Sequence, residues 1–306
     1  MRTAVVDIGT NSTRLLIADA ADGRVTHELD RRSVVTRLGM GVDSAGALNE
    51  EAMERVYSTL EDYRAAIDRC GAERSIAVLT SAVRDASNGE QFADTIRSRF
   101  ALEPHILSGD EEARLTFLGA TSERDPADAT PTIVIDIGGG STEMVIGAGH
   151  EMTFHVSNQA GVVRQTERHI KSDPPTREEI NALAGDAREI FERGVPEEHR
   201  RAVGHAIAVA GTATSLGAIA QELEPYDPEK VHGYLLSVGE CERILERLAA
   251  VPLQQRREVR GLHPDRAPTI VAGVIILLEA LHLFGLERVE VSEHDILRGA
   301  VLGLAA

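Results

Sequence analysis

Two eight-residue stretches of this 306-residue chain carry residue types suited to phosphate chemistry: DIGTNSTR at 7–14 and DIGGGSTE at 136–143, each straight after an apolar run. In both, an Asp closes a strand-like segment. The small residues that follow let the backbone turn tightly and aim several amide hydrogens at one point. Ser and Thr hydroxyls add donors. A carboxylate beside such a cradle makes sense when a divalent cation sits between it and phosphate oxygens. One such turn reads as an ordinary hairpin with Gly and Ser at its tip. Two of them, at corresponding places in two halves of the chain, read as a pair of grips that hold a chain of phosphates from both sides. A third candidate is AVAGTATSLGAI (208–219), where a β-like run meets Gly211 and Thr212 before a helix. Amides at a helix start suit a phosphate, while strand–Gly–helix joints are also common structural connections. No GxxxxGK[ST] occurs, so the chain has no P-loop.

The elements that would position these turns follow from patterning. TAVVDIG and TRLLIADA read as two strands and RRSVVTRLG as a third. Asn49 is placed to cap a helix that opens with Glu50 and Glu51. Met53, Val56, Leu60, Tyr63 and Ile67 form its apolar face, and Gly71 ends it. SIAVLTSAVR predicts a strand leading into a loop, NGEQFADTIRSRF a helix and PHILSG a strand. The polar run SERDPADATPT, with two Pro, reads as a linker. After it the order restarts: TIVIDIG, a turn, TEMVIGA, then EMTFHVSN. The likeness therefore extends beyond eight letters to a repeated strand–turn–strand–strand unit. A charged helix (TREEINALAGDAREIFERG) and a strand (HAIAVAGTATSLGAIA) follow, and the chain closes with a helix, the strand RVEVSE and the helix DILRGAVLGLAA. Alternating strands and helices place the fold in the α/β class, with two domains expected at 1–124 and 125–306.

Composition narrows the function. With 32 basic and 49 acidic residues the net charge is −17, which argues against nucleic acid as a surface-bound partner. A phosphorylated substrate would need a local positive pocket or a metal. Cys70 and Cys241 form no CxxC pair, so neither a disulfide framework nor a zinc ribbon is expected. The opening MRTAVVDIG moves straight into strand-like sequence without a signal-peptide core. TIVAGVIILLEALHLFGL contains Glu279 and His282 and reads as a buried core helix rather than a membrane span. A cytoplasmic protein with no membrane partner is expected.

The layout resembles the actin-like ATPase superfamily. DIGTNSTRLLI, TSAVRDASN (80–88), SGDEEARLTFLGA (108–120), VIDIGGGSTEMVIG (134–147), AVAGTATSLGAI, RAPTIVAG (266–273) and SEHDILRGAVLG (292–303) stand in the order seen in the Ppx/GppA phosphatases. That family contains exopolyphosphatases and guanosine pentaphosphate phosphohydrolases, and the chain is similar to its short form. The resemblance implies two duplicated actin-like (ribonuclease H-like) domains, each a mixed sheet with flanking helices, with the active site in the interdomain cleft. It implies that Glu112, in the EEAR motif, is the catalytic base. Asp136 would anchor Mg²⁺ or another divalent cation, and Glu143 would assist the metal or orient the water. Gly138, Gly139, Ser141 and Thr142 would bind phosphate, and Asp7, Asn11, Ser12 and Thr13 would form the partner loop. Arg84 matches the family's phosphate-contacting arginine.

The residues bear on these assignments independently. Ser108 and Glu111 have capping-box spacing, which gives Glu111 a structural task and leaves Glu112 free. Asp7 has an equal claim as a strand-end turn former. Arg84 has an alternative as a solvated surface residue. Arg14 and Arg114 are weaker candidates, since each can pack its stem and pair with a neighbouring acid. The expected activity is Mg²⁺-dependent release of the terminal phosphate of inorganic polyphosphate, with guanosine pentaphosphate as a second candidate substrate, by a homodimer. One alternative is an actin-like ATPase or small-molecule kinase, against which stand the short GTAT turn and the lack of an acceptor-sugar motif. Another is a non-hydrolytic polyphosphate or alarmone sensor, against which stands the intact Glu112.

Overall fold

Apolar runs broken by Gly, Asp and Asn become strands, and the three-and-four-spaced apolar faces become helices. A computed structural model describes residues 1–303, apart from the side chains of residues 43 and 44. In chain order the first elements are β1 (Arg2–Ile8), β2 (Ser12–Ala21), β3 (Arg24–Val35), α1 (Val42–Ala45), α2 (Glu50–Cys70), β4 (Arg74–Leu79), α3 (Ser81–Arg84), α4 (Gly89–Phe100), β5 (Glu103–Ile106) and α5 (Gly109–Thr121). Then come β6 (Thr132–Ile137), β7 (Thr142–Ala148), β8 (Glu151–Asn158), α6 (Val162–His169), α7 (Arg177–Gly194), α8 (Glu197–Arg200), β9 (His205–Val209) and α9 (Ala210–Ala220). The last are α10 (Pro228–Val231), β10 (Leu235–Ser237), α11 (Val238–Ala249), α12 (Leu253–Arg256), α13 (Ile270–Phe284), β11 (Arg288–Val291) and α14 (Ile296–Gly303).

The chain forms two compact units, Met1–Ser122 together with the segment from His294 onward, and Glu123–Glu293. The first contains a sheet in the order β3-β2-β1-β4-β5, the second a sheet in the order β10-β11-β9-β6-β7-β8. In each, the first three strands form an antiparallel meander, and the first strand also pairs in parallel with a later one: β1 with β4, β6 with β9. The repeat seen in the sequence is therefore a repeat of topology, with β10 added at one edge of the second sheet. One expectation is corrected. The last helix, assigned with 125–306, belongs to the first unit, because its apolar face completes that unit's core.

In the first unit the sheet is covered on both faces. Ala4, Val6 and Ile8 pack with Val56, Leu60 and Ile67 of α2 and Phe92 and Ile96 of α4. Val5, Leu16, Ile76 and Val78 pack with Leu115 of α5 and Ile296, Leu297, Ala300 and Val301 of α14. The second unit has one large core, in which α13 is buried nearly throughout. No helix among the described residues is long and apolar enough to cross a membrane.

Caps follow the expected chemistry. Asn49 accepts the amide of Ala52 at the start of α2, and Gly71 ends the helix at φ 66°. Ser108 and Glu111 form the capping box of α5. The loop expected after β4 is instead a helical turn, α3, because Val83 and Arg84 both donate to the carbonyl of Thr80 at 3.1 Å. Helix α9 also starts earlier than expected: Ala210 turns left-handed at φ 61°, so Gly211 and Thr212 lie in its first turn rather than before it.

Helices α5 and α14 cross with their backbones almost touching. A methyl group on Gly299 would lie 1.8 Å from the carbonyl oxygen of Leu115, and one on Gly119 would lie 1.9 Å from that of Asp295. Backbone cannot retreat as a side chain can. Gly299→Ala is expected to cost about 3 kcal/mol, lowering the melting midpoint by roughly 10 °C. Gly109→Ala in the first turn of the same α5 meets nothing within 4 Å and serves as the control in the same thermal melt; equal midpoints for the two variants would refute the close crossing.

Candidate active site

The two hairpins are built alike. In the first, Gly9 N–H donates to Ser12 O at 3.0 Å; in the second, Gly138 N–H donates to Ser141 O at 3.0 Å. Further carbonyls of both tips accept backbone amides. Gly39 N donates to Thr10 O, and the amides of Thr36 and Arg37 donate to Asn11 O. In the second tip, Val162 N donates to Gly138 O, Val163 and Arg164 N to Gly139 O, and Gly161 N to Gly140 O; Arg164 Nε adds a bond to Gly140 O at 2.8 Å. With its carbonyls occupied by the start of α6, the glycine run keeps its amide edge for another ligand. Gly161 is needed for this fit, since a Cβ there would lie 2.4 Å from the backbone of Gly139 and Gly140.

The hairpins differ in charge at one registered pair. On β1–β2, Asp7 lies opposite Arg14; on β6–β7, Asp136 lies opposite Glu143. Directly opposite residues of an antiparallel pair project to the same face, with Cβ atoms about 5 Å apart. Asp7 is thus neutralised from within: Arg14 donates to its Oδ2 from Nη2 at 2.6 Å and from Nε at 2.9 Å. Asp136 and Glu143 instead set two carboxylates side by side, and Ser157 Oγ orients Glu143 through Oε1 at 2.8 Å. Two hard oxygen ligands on one face suit a cation such as Mg²⁺.

Three of the expected hydroxyls meet protein oxygens. Thr13 is fully buried, its hydroxyl paired with Thr36 Oγ1 at 3.0 Å. Thr142 is fully buried and donates to Ala160 O at 2.7 Å. Thr212 Oγ1 faces Ile137 O at 3.5 Å, which seats the start of α9 against the end of β6. Their β-branched side chains fill the core beneath the loops. Asn11 and Ser12 stay half-buried at the first tip, whereas Ser141 is buried.

In the first unit Arg84 and Glu112 meet. Arg84 Nη1 donates to Glu112 Oε2 at 2.9 Å and to Leu107 O at 2.9 Å. Glu112 is 8% exposed. Burial raises its pKa above the ordinary glutamate value, Arg84 offsets part of that, and the charges of Asp7 and Asp85 add to the rise. Its neighbour Glu111 is held below the usual range by the Ser108 backbone amide. The two adjacent glutamates therefore divide as the spacing suggested, one capping and one buried as a potential base. Burial likewise raises Asp7, with Arg14 opposing.

Arg266 was not among the expected site residues. Its guanidinium lies on the face of Gly211, where a Cβ would come within 1.6 Å of Nη1. RAPTIVAG pointed to this segment, but nothing in its spacing showed that a glycine 55 residues earlier (266 − 211) leaves room for the arginine.

The model of the Ppx/GppA phosphatase family matches residues 16–305. Exopolyphosphatase 2 of Mycobacterium tuberculosis is 38% identical over 319 aligned residues, covering 99% of this chain and 98% of that protein. The crystal structure of the Aquifex aeolicus member of the Ppx/GppA family superposes with a TM-score of 0.83 at 32% identity, covering 100% of this chain and 97% of that one. An exopolyphosphatase structure from Cytophaga hutchinsonii gives a TM-score of 0.88 at 28% identity, covering 99% and 97%. Family match, full-length likeness and the duplicated hairpin topology agree: the chain belongs to the Ppx/GppA phosphatase family, and its two mixed-sheet units have that family's actin-like fold.

Proposed function

We propose that the chain is an exopolyphosphatase that hydrolyses the terminal phosphoanhydride of inorganic polyphosphate, with Glu112 as the general base. The observation that carries the reading is the Glu112 carboxylate itself, buried in the first turn of α5, fixed by Arg84 and with raised proton affinity. The relatives named exopolyphosphatase support the substrate class. In the reaction a water oxygen attacks the terminal phosphorus in line and its proton passes to Glu112. The bridging P–O bond breaks toward the shortened chain, and orthophosphate leaves. Such a step needs little beyond positioned phosphates, charge neutralisation and an oriented water. Arg84 holds Glu112 in place and offers its remaining N–H groups to a phosphate oxygen. In the first unit the hairpin tip offers Asn11 and Ser12 to phosphate oxygens; in the second the tip offers the amide edge of Gly139 and Ser141, with Gly211 beside Arg266 as a further contact. Asp136 and Glu143 would hold a divalent cation, Mg²⁺ in this reading, which when bound neutralises phosphate charge. A second substrate, guanosine pentaphosphate, and a cytoplasmic homodimer belong to the same proposal.

The test is orthophosphate release from short polyphosphate, long polyphosphate, guanosine pentaphosphate and ATP, with Mg²⁺ present and absent. Turnover of ATP with none of polyphosphate would move the assignment to an ATPase. The pH profile adds a signed prediction. A raised pKa means that Glu112 keeps its proton to higher pH, and a base works only after losing it. The acid limb of kcat/KM is therefore expected above 4.5, the ordinary glutamate value, with rate climbing as pH rises through it. A limb at or below that value would remove Glu112 as the titrating base.

A further inference from the structure

The SEHDILRG stretch has so far been given no part in the reaction. We propose that its Asp295 is a positioning residue for Asp7, acting through Arg14; the inference rests on the exopolyphosphatase reading above, in which the tip of the first hairpin binds phosphate. Arg14 bridges the two acids. Its Nε and Nη2 donate to Asp7 Oδ2, and its Nη1 donates to Asp295 Oδ2. Both carboxylates are nearly inaccessible, Asp7 at 4% and Asp295 at 3%. A guanidinium is a rigid planar fork, so fixing one edge fixes the other. Asp295 cannot swing, because its Oδ1 accepts the amide of Leu297 at 3.0 Å at the start of α14.

Arg14 occupies one oxygen of Asp7. The other, Oδ1, is buried and has no hydrogen-bond partner. It lies toward the hairpin tip: Asp7 Oδ1 and Thr80 Oγ1 are both 3.9 Å from the place a Cβ on Gly9 would take. A buried carboxylate oxygen without a partner calls for an explanation, and here it is an atom kept for a ligand at the tip, such as a phosphate-borne water or cation. The interlock at Gly119 and Gly299 joins α14 to α5, so Asp295 and Glu112 are carried by one rigid helix pair.

A purely structural Asp295 would only cap α14. Asp295→Ser separates the two roles, because a hydroxyl can still accept the Leu297 amide but has no charge to hold Arg14. With polyphosphate, kcat is expected to fall about ten- to a hundredfold while KM moves less than about twofold, the signature of an interaction made in the transition state. If Asp295 acts through Asp7, the losses do not multiply: Asp7→Asn/Asp295→Ser should be no slower, within about twofold, than Asp7→Asn alone. Arg14→Lys is the second variant if Asp295→Ser does not fold. Its ammonium lacks the rigid planar fork that spans the two carboxylates, so the same loss, masked by Asp7→Asn, is expected. Full turnover in Asp295→Ser or in Asp7→Asn, or losses that multiply in the double variant, would overturn the proposal. Phosphate release by the unaltered chain, measured first, checks the underlying exopolyphosphatase reading separately from these ratios.

Discussion

Glu112→Gln is expected to lower kcat on polyphosphate by about a thousandfold, within the range removed with a general base, and to leave KM nearly unchanged. The substitution is almost isosteric. The amide oxygen can still accept from Arg84 Nη1, now 2.9 Å from Glu112 Oε2, and the Ser108–Glu111 capping box that starts α5 is untouched. The amide cannot take a proton from water. The variant also no longer places a carboxylate in a site that burial makes costly for the charge, so its melting midpoint should not drop. Phosphate release and a thermal melt on the same sample check both halves. Turnover within tenfold of the unaltered chain, with the fold intact, would sink the assignment of Glu112 as base.

Asp136→Asn is the second large effect, and it is read both in turnover and in metal binding. Asp136 and Glu143 are directly opposed on β6–β7, and facing like charges weaken a sheet by about 0.2–1 kcal/mol. Asn at position 136 removes one of the two charges at nearly constant side-chain volume. The same change takes away a cation ligand, and turnover at fixed Mg²⁺ should fall about a hundredfold, the scale of the charge stabilisation a metal provides. A readout independent of turnover is the shift of the melting midpoint on adding Mg²⁺, which follows mass action. It should appear in the unaltered chain and vanish in Asp136→Asn. The first hairpin is the internal control, because Asp7 faces Arg14 there rather than a second carboxylate. A full Mg²⁺-induced shift in Asp136→Asn would place the cation elsewhere.

Local features of this chain were legible in advance because local physics sets them. Asn49, Gly71, Ser108 and Glu111 do what their spacing requires, and the repeated hairpins emerge strand for strand. What escaped was decided by contacts distant in sequence. Thr13 and Thr142 look like phosphate ligands in a string of letters, but strand alternation turns their side chains into the core, where each finds a buried oxygen. Arg14 was expected to pair with a neighbouring acid, and its register supplies Asp7; what the sequence did not show is that the C-terminal segment brings a second acid, Asp295, to its other side. Arg266 needed the bare face of Gly211. The last helix reads as a continuation of the second half, and only the shapes of α5 and α14 show that it completes the first.

That return has a consequence for biosynthesis. The unit containing Met1–Ser122 lacks one wall of its core until the residues from His294 onward leave the ribosome. Between them lie 171 residues (293 − 122) of the other unit, a delay of roughly 10–30 s at about 5–20 residues per second. The apolar underside of the first sheet is therefore synthesised well before the helix that covers it.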